Sequence, residues 1–162
     1  MMKKSLKNDR QLDAFDLAIL KILQGDNQTP QRVISDQINL SPASVQRRIT
    51  EMTSAGVILG NTACIDPKAV GQGVTVVVEL HLVSDQTNVV NPVKELLKTT
   101  PQVQQCYHVT GAAGMILILL VEDLEAYYAL AVRLFADNDL VSTFRSLPVL
   151  DRVKVGLSVA LD

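Results

Sequence analysis

The stretch Thr29-Pro-Gln-Arg-Val-Ile-Ser-Asp-Gln-Ile-Asn-Leu-Ser-Pro-Ala-Ser-Val-Gln-Arg-Arg-Ile49, followed shortly by Ala55-Gly-Val-Ile58, decides the N-terminal fold. Thr29-Pro30 is a cap followed by proline at the first helical position, so a helix starts there and buries Val33, Ile34 and Ile38. Asn39 falls where a tight helix–helix turn needs positive φ, which asparagine tolerates. Ser41-Pro42 repeats the cap-plus-proline signal and opens another helix. Along it Val45, Ile49 and Met52 form one stripe that must pack inward. At about 100° per residue, the opposite face carries Ala43, Ser44, Gln46, Arg47 and Thr50. Two helices joined by a short turn, the second with an exposed polar and basic face, fit the major groove of DNA.

Roles on that face follow from side-chain chemistry. Small residues at Ala43 and Ser44 let the helix start approach a duplex closely. Gln46 and Arg47 are donors suited to base edges, with Thr50 beside them. Thr29, Gln31, Arg32 and Ser41 sit at helix starts, where phosphates bind. Arg48 lies nearer the core edge and reaches either a phosphate or an acid. Upstream, Asp13 caps a first helix whose apolar face is Phe15, Ile19, Ile22 and Leu23, with Leu12 as staple and Gly25 as left-handed stop. Downstream, Gly56-Val-Ile and the strand-like residues 59–65 read as a wing. The plainer alternative is a three-helix core whose charges are merely solvated, since helix-turn-helix look-alikes are common.

Composition agrees with a core-forming chain: 162 residues, 48% hydrophobic and 20% charged. The N-terminus is basic but has no apolar segment behind it, so it is not a secretory signal. The longest apolar run, residues 115–121, is far shorter than the roughly 20 residues a bilayer requires. Cys64 and Cys106 have no paired spacing and suit reduced thiols in a cytoplasm. Net charge is −2, but it is uneven: eight Lys/Arg face six acids through residue 60, and seven face eleven beyond it. A basic head on an acidic body favours phosphates locally.

Residues 61–73 read as a linker strand between a DNA-binding domain over 1–60 and a second domain over 74–162. In the second domain, residues 74–83 are a β-branched strand, and 89–99 a helix with Val93, Leu96 and Leu97 inward. Residues 103–110 form a strand, Gly111-Ala-Ala-Gly114 a hairpin-type turn, and 115–122 the next strand. Residues 124–136 make a helix with Tyr128, Ala131, Leu134 and Phe135 inward, and 141–157 a last strand in which Pro148 marks an edge or bulge. The order βαββαβ is the ferredoxin-like split motif. The fold class is therefore α+β, an N-terminal winged helix-turn-helix plus a C-terminal ferredoxin-like dimerisation domain. One helical layer leaves the opposite sheet face open, and a homodimer packing sheet on sheet would cover it.

The ordered set Leu12-Asp13, Asp16, Ile19-Leu20, Leu40-Ser-Pro, Arg47-Arg48, Gly56-Val-Ile, Asp66-Pro67, Val109-Thr-Gly111, Asp123, Ala126-Tyr127 and Val153-Lys154 resembles the Lrp/AsnC (leucine-responsive/asparagine regulator) family. The match spans nearly the whole chain. The resemblance implies a DNA-binding transcription regulator, dimers often assembled into octamers, and an amino-acid effector held near Thr110, Gly111, Ala112 and Gly114. The family typically has carboxylates at the positions of Ala112 and Gly114, and this chain has neither. A desolvated ammonium group needs an acceptor. That leaves a different effector, recognition through backbone groups and Ser146, or no effector. Gly111 to Gly114 are equally readable as a plain β-turn.

His81 and His108 have no partner at metal-ligand spacing, so both read as strand residues and no metal is expected. No Ser/Cys-His-acid constellation and no phosphate-binding glycine loop is legible, and no cofactor is expected. The alternative is a sirohaem-decarboxylase-like enzyme sharing the architecture, touched by Tyr107-His108 but lacking an arginine-rich stretch beside it. The expectation is a cytoplasmic, non-enzymatic regulator whose partners are double-stranded DNA, its own copies and a small-molecule effector, with no membrane.

Overall fold

The computed structural model describes residues 11–111 and 113–161, in two compact units. One runs through Ala63 and takes in the chain from Val155 onward; the other is Cys64–Lys154.

The first unit holds α1 (Ala14–Gly25), α2 (Gln31–Ile38) and α3 (Pro42–Ser54). Asp13 caps α1 through a reciprocal box: its Oδ1 accepts the Asp16 N–H at 2.9 Å, and its own N–H donates to Asp16 Oδ2 at 3.3 Å. Asn39 closes α2 at φ 54°, ψ 45°, the left-handed geometry expected of it. Ser41 caps α3 by accepting the Ser44 N–H at 3.2 Å, with Pro42 at the first helical position. Gly56 ends α3 at φ 74°, where the Val57 N–H turns back to Met52 O at 2.9 Å. Ile19, Ile34, Val45 and Met52 meet in the centre with no exposed surface. Each such burial stabilises by roughly 1.5–3 kcal/mol.

Several local expectations are corrected. Thr29 does not cap α2; Pro30 holds that position, and the Thr29 hydroxyl donates to Asp26 O at 2.8 Å instead. Gly25 remains helical and Asp26, extended, is the C-cap. Val33 and Phe15 are each 42% exposed, because α2 and α1 turn Ser35 and Asp16 toward the core instead. Residues 59–66 form no strand, with Leu59 and Ile65 exposed. The Gln24 side chain instead exchanges two hydrogen bonds with the backbone of Val159, 2.7 Å to Oε1 and 3.2 Å from Nε2.

The second unit begins with a 3-10 turn, Pro67–Val70, where a linker strand was expected. It continues as β1 (Val74–Leu82), α4 (Thr87–Thr99), β2 (Val103–His108), β3 (Met115–Val121), α5 (Leu124–Ala131) with a following π turn (Val132–Ala136), and β4 (Val141–Pro148). The strands are antiparallel in the order β2-β3-β1-β4, the ferredoxin-like arrangement. Alternation sends Val76, Val78 and Leu80 of β1 and Met115, Leu117, Leu119 and Val121 of β3 against the helices. There Val90, Val93, Leu97, Tyr127, Leu130, Leu134 and Phe135 cover them. Leu96 is 39% exposed and Tyr128 71%, while the neighbouring Tyr127 takes the inward place. β4 ends at Pro148, which cannot donate to a ladder, so the expected strand to residue 157 stops there.

On the other face, Val77 lies opposite Ile118 and Leu147, and Glu79 opposite Ile116 and Arg145. Val77, Ile116, Ile118, Leu120 and Leu147 are half-buried, and the helices of this unit pack on the opposite face. No helix among the described residues is long and apolar enough to cross a membrane.

Candidate nucleic-acid interface and effector cleft

The outward face of α3 is built as its sequence demands. Val45 and Met52 are fully buried, and Ile49 half-buried, which turns Ala43, Gln46, Arg47 and Thr50 to solvent. Gln46 is held at both ends: its Oε1 accepts from Gln31 Nε2 of α2, and its Nε2 donates to Thr50 Oγ1 at 3.1 Å. Gln31, Gln46 and Thr50 thus form one polar ridge across α2 and α3. The Arg47 side chain, 63% exposed, pairs with Glu51 at 2.7 Å within the helix. An exposed pair of this kind is worth under about 1 kcal/mol, so a phosphate or base can take Arg47 from it readily. Thr29, Gln31, Arg32, Ser41 and Ala43 are exposed or nearly so around the same edge, and Ser44 Oγ is within 2.9 Å of Ser41 Oγ.

Arg48 is different. Its Nη1 lies 2.8 Å from both Asp13 Oδ2 and Asp16 Oδ1, its side chain is 18% exposed and that of Asp16 only 2%. The Arg48 guanidinium also sits 5.5 Å from the Phe15 ring centre. Of the two roles open to Arg48 from sequence, the structure shows the acid pair. The Asp16 and Asp13 carboxylates raise the affinity of Arg48 for its proton. The Asp16 backbone N–H, with Arg48 behind it, holds the Asp13 carboxyl below its ordinary range. Arg48, which fixes α3 against α1, is thus drawn away from a ligand. The basic N-terminal residues Lys3, Lys4, Lys7 and Arg10 lie outside the described residues.

In the second unit, the hairpin before β3 is exposed at Thr110 and Gly111, the latter at φ 115°, where a side chain would be strained. Ala112 lies outside the described residues. Both backbone groups of Gly114 are engaged: its N–H donates to Leu80 O at 3.0 Å and its O accepts from Val109 N at 3.0 Å. Ser146 is not brought to this loop. It lies opposite Val78, on the helix side of the sheet, hydrogen-bonded to the Tyr127 hydroxyl. Burial raises the Tyr127 hydroxyl above its ordinary pKa. The hairpin instead meets a cleft of about 450 Å³ lined by Ala113, Glu79, His81, Thr143 and Arg145, in which Arg145 Nη1 is 3.5 Å from Glu79 Oε2. Glu79 and Thr143 were not legible as site residues, because only the strand register sets them beside a loop remote in sequence. His81 and His108 are strand residues; the His108 ring nitrogen lies 3.2 Å from Lys94 Nζ, and no metal-holding cluster exists among the described residues.

A helix-turn-helix with an exposed polar ridge, followed by a ferredoxin-like domain, is the build of a DNA-binding regulator. Models of a winged helix-turn-helix DNA-binding domain and of the Lrp/AsnC ligand binding domain match residues 12–58 and 75–159. The chain belongs to the Lrp/AsnC family and is a DNA-binding transcriptional regulator. It is 34% identical over 152 residues to an uncharacterized HTH-type transcriptional regulator of Sinorhizobium fredii, covering 94% of this chain and 90% of that one. The crystal structure of an AsnC family transcriptional regulator from Agrobacterium tumefaciens is similar at a TM-score of 0.87 and 28% identity, covering 93% and 97%. A Neisseria meningitidis regulator solved as an L-Met complex shares the fold at a TM-score of 0.88 and 22% identity, over 94% and 98%.

Proposed function

We propose that α3 reads base edges through Gln46 and Arg47, with Thr50, Ala43 and Ser44 lining the contact. Thr29, Gln31, Arg32 and Ser41 hold the flanking phosphates. Arg48 serves as the brace that orients the helix. The observation that carries this is the outward ridge Gln31–Gln46–Thr50 with the weakly held Arg47 beside it, over a fully buried Val45 and Met52. Two such helices, brought together by dimerisation, engage half-sites one turn apart, about 34 Å. Selecting bound duplexes from a random pool and footprinting them tests this. Paired protections one turn apart on one face support it; a single unpaired protection, or no enriched sequence, contradicts it.

The half-buried Val77, Ile116, Ile118, Leu120 and Leu147 are the surface on which a second copy packs, and dimers built there assemble further, up to an octamer. Ile118→Lys places an unpaired charge in that surface. Light scattering should then show the mass of one chain while far-ultraviolet circular dichroism is retained. An unchanged assembly would place the interface elsewhere.

The cleft beside the hairpin takes a small amino-acid-like effector. Support comes from the Neisseria neighbour, which was solved with L-Met. In this chain Glu79 supplies the carboxylate missing at Ala112 and Gly114, and Arg145 an anion partner.

A further inference from the structure

The ridge Gln31–Gln46–Thr50 has a fixed hydrogen-bond sense, and that sense selects a base. The Thr50 hydroxyl donates its single proton to the Gln46 backbone oxygen at 3.0 Å, one turn back along α3. Toward the Gln46 side chain the Thr50 oxygen is therefore an acceptor only. The group it meets there, at 3.1 Å, has to be the amide nitrogen. With Nε2 on the Thr50 side, Oε1 turns toward α2, where it accepts from Gln31 Nε2. The Gln46 amide is thus oriented by chemistry at both ends, although all three residues are exposed.

A glutamine side-chain amide has two N–H donors and two acceptor lone pairs. Thr50 takes one donor and Gln31 one lone pair, and no other described residue engages the amide. One N–H and one lone pair remain, side by side. In the major groove adenine presents the N7 acceptor next to the N6 amino donor, which matches that pair. Guanine presents two acceptors, N7 and O6, so Oε1 would face O6 with no proton between them. Cytosine offers only a donor and thymine only an acceptor and a methyl group, so each leaves half of the amide unmet. An unanchored glutamine turns about its broad terminal torsion and can present either end. Gln31 removes that freedom.

We infer that Gln31 is a positioning residue which, with Thr50, commits Gln46 to an adenine. Gln31 acts through Gln46 and touches no base itself. Its backbone N–H, at the first position of α2, stays available to a phosphate. This rests on α3 being the base-reading helix, and adds which base Gln46 takes and why a residue 15 positions upstream matters to it.

Equilibrium titrations of the full-length protein on its selected duplex, with each base pair replaced in turn, test this. In wild type one position per half-site should require A·T, with binding about tenfold weaker for any other pair. Placing 7-deazaadenine there, which lacks the N7 acceptor, should weaken binding about fivefold. Gln46→Ala should flatten discrimination at that position and at no other. Gln31→Leu keeps the bulk and deletes the donor, so the tenfold preference there should shrink to about threefold or less. Its melting temperature and its selectivity at the position read by Arg47 should be those of wild type.

A position flattened by Gln46→Ala that prefers guanine, cytosine or thymine overturns the adenine assignment. So does Arg47→Ala flattening a position while Gln46→Ala flattens none. A Gln31→Leu variant that keeps the full preference, loses selectivity equally everywhere, or melts several degrees lower overturns the positioning role. In each of these cases α3 still reads bases. If Gln46→Ala and Arg47→Ala both leave every position unchanged, the base-reading role of α3 fails and the inference fails with it.

Discussion

Arg48→Ala is expected to destabilise the N-terminal unit by about 3 kcal/mol, because it removes the guanidinium that pairs with the buried Asp16 carboxylate. The capping box keeps Asp16 oriented inward, so the charge cannot easily turn out to water. In a unit this small, the melting temperature should fall by roughly 10–20 °C. The paired change Arg48→Met with Asp16→Leu should recover most of the loss, since apolar replacements of similar volume remove both desolvated charges together. A phosphate-contact role predicts another pattern: little change in stability and a salt dependence of DNA binding shallower by about one counterion. A brace predicts weaker binding with an unchanged salt slope.

The pH dependence of the Asp13 cap beside that brace has a defined sign. The folded-state pKa of Asp13 is depressed below the ordinary 3.8, so its stabilisation is complete above that value. It is lost as pH falls through the lower folded pKa. Stability in wild type should thus hold the part that rests on the Asp13 capping carboxylate, with Arg48 behind it, from neutrality down to about pH 4 and surrender it only below. A loss of that part between pH 5 and 7 would mean that another group controls the contact.

Arg47→Ala should behave in the opposite way. Its pair with Glu51 is exposed, so stability should change by less than about 0.5 kcal/mol. Affinity for the selected operator should fall by about 5- to 150-fold, the cost of about 1–3 kcal/mol for a lost base contact. Affinity for shuffled duplexes should move far less. Competition titrations at fixed salt check this. An equal loss on all sequences would make Arg47 a phosphate contact, and a collapse in stability would make it structural.

Where local chemistry decides, the sequence was a good guide. Ser41-Pro42, Asn39 and Asp13 act through atoms within a few residues, and each does in the structure what its side chain implies. The βαββαβ order was readable for the same reason. The errors lie where a distant partner decides. Thr29-Pro30 carries a capping signal, but Asp26 takes the hydroxyl. Tyr127 and Tyr128 are adjacent on a helix, and only packing against the sheet selects which turns in. Ser146 was named from the family resemblance, whereas strand parity turns it to Tyr127. Arg48 had two open roles until α1 was folded across it with Asp13 and Asp16. The hairpin cleft depends on register between strands, which no short motif encodes.

The most direct test is photo-crosslinking of the full-length protein to its selected duplex carrying 5-iodouracil in place of thymine, with the crosslinked peptide read by mass spectrometry. The account predicts attachment within α3, in the segment that holds Ala43, Gln46 and Arg47. Attachment confined to the Cys64–Lys154 unit, with α3 unmodified, would contradict it.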